Sequence, residues 1–232
     1  MPDLEVRDLS LSYPVAGGGI QPVLKIEEWC LRDCAAVGIT GPSGSGKTSL
    51  LHVIAGLERP NRGIVRWGRI RVTELPEAER DRWRRHCVGM IFQDFHLLPG
   101  MTVLQNVMLP ATFSYARVPF ALRERARKLL ARVGLSDAAR RVEVMSRGEL
   151  QRAAVARAML FAPSILLADE PTASLDADNG RRIGDLLLEM CHESGSMLVV
   201  VSHDPALLAR LETVHTLING RICDPERVGS LA

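Results

Sequence analysis

Hydrophobic and polar positions fall into two strand textures and one helical one. Residues 4–13 alternate apolar and polar side chains, the period-two pattern of a half-buried strand. Residues 23–29 read as another strand, after a Pro- and Gly-bearing stretch at 14–19 that predicts a loop or hairpin tip. Residues 34–40, 164–168 and 196–201 are apolar almost throughout. Short runs without a polar face suit strands covered on both sides, as in a parallel sheet. Residues 88–92 predict a further apolar strand, and residues 63–68 a short strand with a turn in a small antiparallel layer. A helical run at 49–55 follows the first apolar run and stops at Gly56, and an amphipathic helix is predicted around 181–191. From 94 to about 160 the texture is helices and loops. Pro99, Gly100 and Pro110 punctuate it, and Leu122, Ala126, Leu129, Leu130 and Val133 carry helical spacing over 119–133, with Gly134 as a stop.

Strand–loop–helix alternation predicts an α/β fold with a mainly parallel sheet, a small antiparallel β layer and an inserted helical subdomain. A length of 232 residues suits one domain. Its core is expected at about 1–93 and 161–232, with the helical subdomain at about 94–160. Apolar residues at 47% supply a packed core and exclude global disorder.

Charge and cysteine content narrow the partners. The formal net charge is +2, close to balance, so no nucleic acid is expected as a partner. Lysine stands only at Lys25, Lys47 and Lys128; arginine clusters at 80–85 and 117–132. Those clusters read first as solvated helix faces, with an anionic partner or lipid headgroups as the functional alternative. Cys30, Cys34, Cys87, Cys191 and Cys223 are odd in number and lack zinc-ligand spacing, which fits reduced thiols in a cytosolic protein. No signal-like segment precedes the first strand, and no apolar run approaches the ~20 residues that span a bilayer. Any spanning is left to another polypeptide.

The chemistry centres on Gly41-Pro42-Ser43-Gly44-Ser45-Gly46-Lys47-Thr48, a full match to G-x-x-x-x-G-K-[ST] between a strand and a helix. Glycines let successive N–H groups converge on an anion at the positive end of a helix dipole. Lys47 can reach β- and γ-phosphates, and the Thr48 hydroxyl can hold Mg²⁺. The alternative, a Gly/Ser-rich surface turn, does not explain the strand before and the helix after. The motif implies a nucleoside triphosphate. Residues 165–170 then supply an apolar strand that ends in two acids. Asp169 can hold Mg²⁺, and Glu170 can orient and deprotonate an attacking water.

In order, these residues resemble the ATP-binding cassette ATPases of ABC transporters, over about residues 4–221. Tyr13 lies where that family stacks an aromatic on adenine. Gln93, in Ile91-Phe92-Gln93-Asp94, resembles the loop that touches Mg²⁺ and senses the membrane partner. Ser146-Arg147-Gly148-Glu149 resembles the family signature, 173–176 the loop linking two active sites, and Ser202-His203-Asp204 carries the switch histidine. The resemblance implies a P-loop NTPase (RecA-like) core and an ATP-dependent homodimer with ATP and Mg²⁺ at its interface. Thr48, Gln93 and Asp169 then manage the metal. Glu170 activates water and His203 stabilises the terminal phosphate. Ser146 and Gly148 complete the site in trans, with Asp176 in the linking loop. It also implies an integral-membrane permease on a separate chain, docking near 93–106, and a cytoplasmic location peripheral to the inner (plasma) membrane. Residues 92–107 are similar to the group serving macrolide export, lipoprotein release and cell-division complexes.

One departure stands out: Met145-Ser146-Arg147-Gly148 occupies the place of the usual Leu-Ser-Gly-Gly. Arg147 can point outward, add positive charge near the phosphates or hinder closure, so a weakly hydrolysing regulatory cassette stays open. An ABC-type ATPase in cell-division or envelope signalling also stays open. A P-loop GTPase or small-molecule kinase would leave the signature and His203 unexplained, and no Asn-Lys-x-Asp guanine-reading segment is present.

Overall fold

A computed structural model describes residues 3–15, 17–32 and 35–226. Cys34, at the start of one predicted strand, lies outside them. Strand β1 (Leu4–Val15) pairs antiparallel with β2 (Gly19–Leu31), and the strand continues through Pro14 and Val15, where a loop is predicted. The alternation in β1 changes phase once: Leu4 and Val6 are buried, then Leu9 and Leu11. Asp8, at φ 48°, absorbs the extra residue where the register on the next strand shifts between Arg7 and Ser10. That next strand is β4 (Arg62–Trp67), followed by β5 (Ile70–Arg71), so the four-stranded sheet runs β2-β1-β4-β5.

The second sheet holds the apolar runs. It consists of β3 (Ala36–Thr40), β6 (Val88–Ile91), β7 (Ile165–Asp169), β8 (Met197–Val201), β9 (Thr213–Ile218) and β10 (Arg221–Glu226). Their order is β10-β9-β3-β8-β7-β6, parallel except where β10 pairs antiparallel with β9. All five residues of β7 and of β8 are buried, as strands covered on both faces require. Leu166, Ala168, Leu198 and Val200 face one core with helices α3 (Val103–Thr112), α4 (Phe120–Arg132), α5 (Arg147–Ala158) and α6 (Ala177–Ser194). Ile165, Leu167, Met197 and Val199 face another, shared with α1 (Lys47–Ile54) and the antiparallel sheet. Trp29, Trp67 and Trp83 all lie in this second core.

Several elements exceed the sequence reading. Helix α6 starts four residues before the predicted 181, because the Asp176 side chain caps it by accepting from the Asn179 N–H at 2.9 Å. Helix α2 (Glu77–Cys87) carries no apolar stripe; only Arg80 and Trp83 are buried. Strands β9 and β10 and the single turn α7 (Pro205–Leu208) were not predicted either. The arginine clusters are largely spent inside the fold. Arg80 pairs with Glu77, and Arg84 donates to the Gly56 carbonyl at 2.7 Å. Arg125 donates to the Leu160 carbonyl at 2.8 Å, and Arg132 reaches Glu189 and Glu193.

Candidate nucleotide site

Parallel strands deliver the site. The loop after β3 leads into α1, Asp169 ends β7, His203 follows β8, and Gln93 follows β6. Open α/β sheets bind ligands beyond such carboxyl ends. The loop needs its glycines: a Cβ on Gly41 (φ 143°) would lie 2.0 Å from the Leu217 carbonyl oxygen. Gly46 caps α1 at φ 101°.

A cavity of about 830 Å³ opens there, lined by Tyr13, Ser43, Gly44, Gly46, Lys47, Thr48, Gln93, Asp169, Glu170 and His203. Ten predicted residues thus share one cavity. Gly41, Pro42 and Ser45 belong to the same loop without lining it. Lys47 Nζ donates to the carbonyls of Gly41 (2.8 Å) and Pro42 (2.9 Å), which leaves one of its three protons for the cavity. Burial pulls its pKa down, while Glu170 and Asp169 push it up.

The carboxylates differ. Asp169 is 5% exposed, and its Oδ1 has no hydrogen-bond partner among the described residues. Burial pushes its carboxyl up, against a hydrogen bond with Thr48 and the charges of His52 and Lys47. A buried, unpaired carboxylate oxygen beside a threonine hydroxyl is a donor set that fits a hard divalent cation such as Mg²⁺. Glu170 adopts φ 47°, fixed by its N–H donating to the Val201 carbonyl at 2.9 Å. The His203 backbone N–H donates to its Oε2 at 3.3 Å, and His203 Nε2 lies 3.5 Å from its Oε1. Burial also raises the pKa of Glu170, opposed by His203.

Ser146 and Gly148 are not in this cavity. Ser146 caps α5 in a reciprocal box: its backbone N–H and its hydroxyl donate to Glu149 Oε2 at 2.8 and 2.9 Å, and its Oγ accepts from the Glu149 N–H. Its hydroxyl is therefore engaged within its own helix. Ser146 and Arg147 are exposed, and Gly148 is buried against Asn179, whose side-chain amide donates to Asp176 Oδ2 at 2.6 Å. Asp176 lines a smaller neighbouring cavity of about 130 Å³ with Thr172 and Asp204.

A family model described as ABC transporter matches residues 24–173. The chain belongs to the ABC transporter family. It is an ATP-binding cassette ATPase. Its curated relatives include the lipoprotein-releasing system ATP-binding protein LolD of Syntrophus aciditrophicus, 39% identical over 94% of this chain and 98% of that protein. LolD 1 of Rhodopirellula baltica is 38% identical over 99% and 100%. Among solved structures, the dimeric post-hydrolysis state of the ATP-binding cassette MJ0796 bound to ADP and Pi is similar, with a TM-score of 0.88. It is 33% identical and covers 98% of this chain and 100% of that one.

Sequence reasoning missed cassette residues that support the others. Tyr13 donates its hydroxyl to Glu58 at 2.7 Å, which fixes the ring at the cavity edge. Thr172 donates to Asp204 at 3.2 Å, beside His203. The run Asp204-Pro205 was a readable helix-start signal. Glu58, 45 residues from Tyr13, offered none.

Proposed function

We propose that two copies of this cassette close on two ATP molecules and so drive a separate integral-membrane permease, in lipoprotein release or a related envelope export. The observation that carries this reading is the division of labour just described. The phosphate, metal and water-activating groups share one cavity, while the signature residues stand outside it on an exposed helix end. Such an end acts on nucleotide held by another copy. The LolD relatives, matched along nearly their whole length, support the lipoprotein-release reading.

In this reading Lys47 and the N–H groups of residues 41–48 hold the phosphates, and Tyr13 stacks on the adenine. Thr48, Gln93 and Asp169 hold Mg²⁺, which neutralises phosphate charge when bound. Glu170 takes the proton of the attacking water, and His203 donates to the terminal phosphate. Ser146 and Gly148 of the partner copy complete the site, with Asp176 at the seam. Residues 94–160 form the helical subdomain that moves with closure. A groove of about 500 Å³ behind Gln93, lined by Arg84, Arg85, Phe92, Leu109, Phe113 and Phe161 among others, receives the permease. No helix among the described residues is long and apolar enough to cross a membrane. The cassette then sits at the cytoplasmic face of the inner membrane through that partner.

The test compares the purified chain with Glu170→Gln for ATP hydrolysis and for size in ATP and Mg²⁺. The parent is expected to turn over, and the variant to lose ~10²- to 10⁴-fold in rate while still forming the ATP-dependent dimer. A variant that binds ATP but stays monomeric would overturn the shared-site reading.

A further inference from the structure

The segment carrying Gln93 contains a strain that binding nucleotide does not explain. Phe95 and His96 are consecutive left-handed residues, at φ 58° and 47°, and neither is glycine. A Cβ crowds the backbone in that region, so two in a row need an external hold. Both carbonyls converge on one side chain. Arg157 donates from one terminal nitrogen to the Phe95 oxygen at 2.6 Å and from the other to the His96 oxygen. Its guanidinium makes no ion pair among the described residues, and burial pulls its pKa down. The two carbonyls are what compensate this withdrawn cation. The other side of the loop is held by rings: His96 packs edge-on to Phe92 at 4.7 Å, and Phe92 to His52 of α1 at 6.5 Å.

Arg157 sits eleven residues, or about 16 Å at 1.5 Å per residue, along α5 from Ser146. It lines the groove behind the site together with Phe92 and His96, whereas Gln93 lines the ATP cavity. One helix thus bears the signature at its start and grips the Gln93 loop at its end.

We propose that Arg157 is a positioning residue, clamping the Phe95 and His96 carbonyls so that Gln93 is held at the metal side of the ATP cavity. This rests on the assignment of Gln93 to Mg²⁺ made above. The planar fork matters more than the charge, because two carbonyls must be reached at once. An occupant of the groove that draws Arg157 away would release Gln93 without touching the nucleotide.

The experiment uses the full chain with Arg157→Met, Arg157→Lys and Gln93→Ala. Hydrogen–deuterium exchange of residues 93–98 is measured without nucleotide, and Mn²⁺ binding in the presence of ATP is followed by electron paramagnetic resonance. Arg157→Met is expected to speed exchange about tenfold in 93–98 and not in 41–48. It should weaken Mn²⁺ about tenfold while ATP binding in EDTA stays unchanged. Gln93→Ala should weaken Mn²⁺ similarly, with no further loss in the double variant. If Arg157→Met proves unfolded, Arg157→Lys answers instead, since it keeps the charge and loses the fork. Unchanged exchange in 93–98, or Mn²⁺ affinity lowered by Gln93→Ala but not at Arg157, overturns the clamp. Unchanged Mn²⁺ affinity in Gln93→Ala removes the metal assignment itself.

Discussion

At the carboxyl ends of β3 and β7, Lys47, Asp169 and Glu170 are drawn out of water; burial shifts all three, and the charge of Lys47 acts on both carboxyls. At the start of α5, Ser146 and Arg147 stand in water, and Glu149 is held ionised by the Ser146 backbone N–H and by Arg140. Both regions present anion-binding groups. The first has already met the cost of burying charge within one chain. The second has not, and its donors gain strength only when another surface excludes water from them. On the proposed reading, a cassette built this way is complete as a binder and incomplete as a catalyst.

That contrast can be broken at either end. The largest effect is expected from Lys47→Ala, which removes the ammonium held over the loop. ATP affinity of the isolated chain should fall ~30- to 100-fold, about 2–3 kcal/mol, in a titration calorimeter. Ser146→Ala should leave that affinity intact and abolish the ATP-dependent dimer on a sizing column. Its loss of the cap should cost about 1 kcal/mol of stability by urea denaturation.

Acidification separates the two regions by sign. In its proposed role Glu170 takes a proton only when ionised, and burial has raised its pKa, so kcat should fall on the acid side earlier than a free glutamate would dictate. Glu149 is shifted the other way. Its stabilisation of the α5 cap is present above its unfolded value and is lost only as pH drops through its lower folded value. A kcat profile beside a stability profile should therefore show turnover failing while the α5 cap still holds. The smallest effect is expected from Arg147→Ala. Removing an exposed cation from a helix N-terminus should add about 0.3–1 kcal/mol at low salt, fading as salt rises.

Much of the fold and site was legible because its signals are local. The phosphate loop, the strand that ends in Asp169 and Glu170, and the apolar runs of β3, β7 and β8 each announce themselves within a few residues. Gln93 and His203 carry no such signal singly; the family resemblance pointed to them, and both line the cavity. What escaped depends on contacts between distant residues or lacks a hydrophobic pattern. Helix α2 buries an arginine against Gly56 rather than an apolar stripe, and β9 carries His215 at a buried position. The Ser146-x-x-Glu149 spacing is a readable capping box at the start of α5. The left-handed pair at Phe95 and His96 has no glycine to betray it.

The placement of the tryptophans has a spectroscopic consequence. All three belong to the core beneath the antiparallel sheet, and none to the core that holds α3, α4 and α5. Intrinsic emission therefore reports one side of the β3–β8 sheet and is silent about the other. A heat ramp followed by fluorescence and by far-ultraviolet dichroism would coincide if the two cores melt as one. Should the helical side loosen first, ellipticity would decay while the emission maximum stayed where it began.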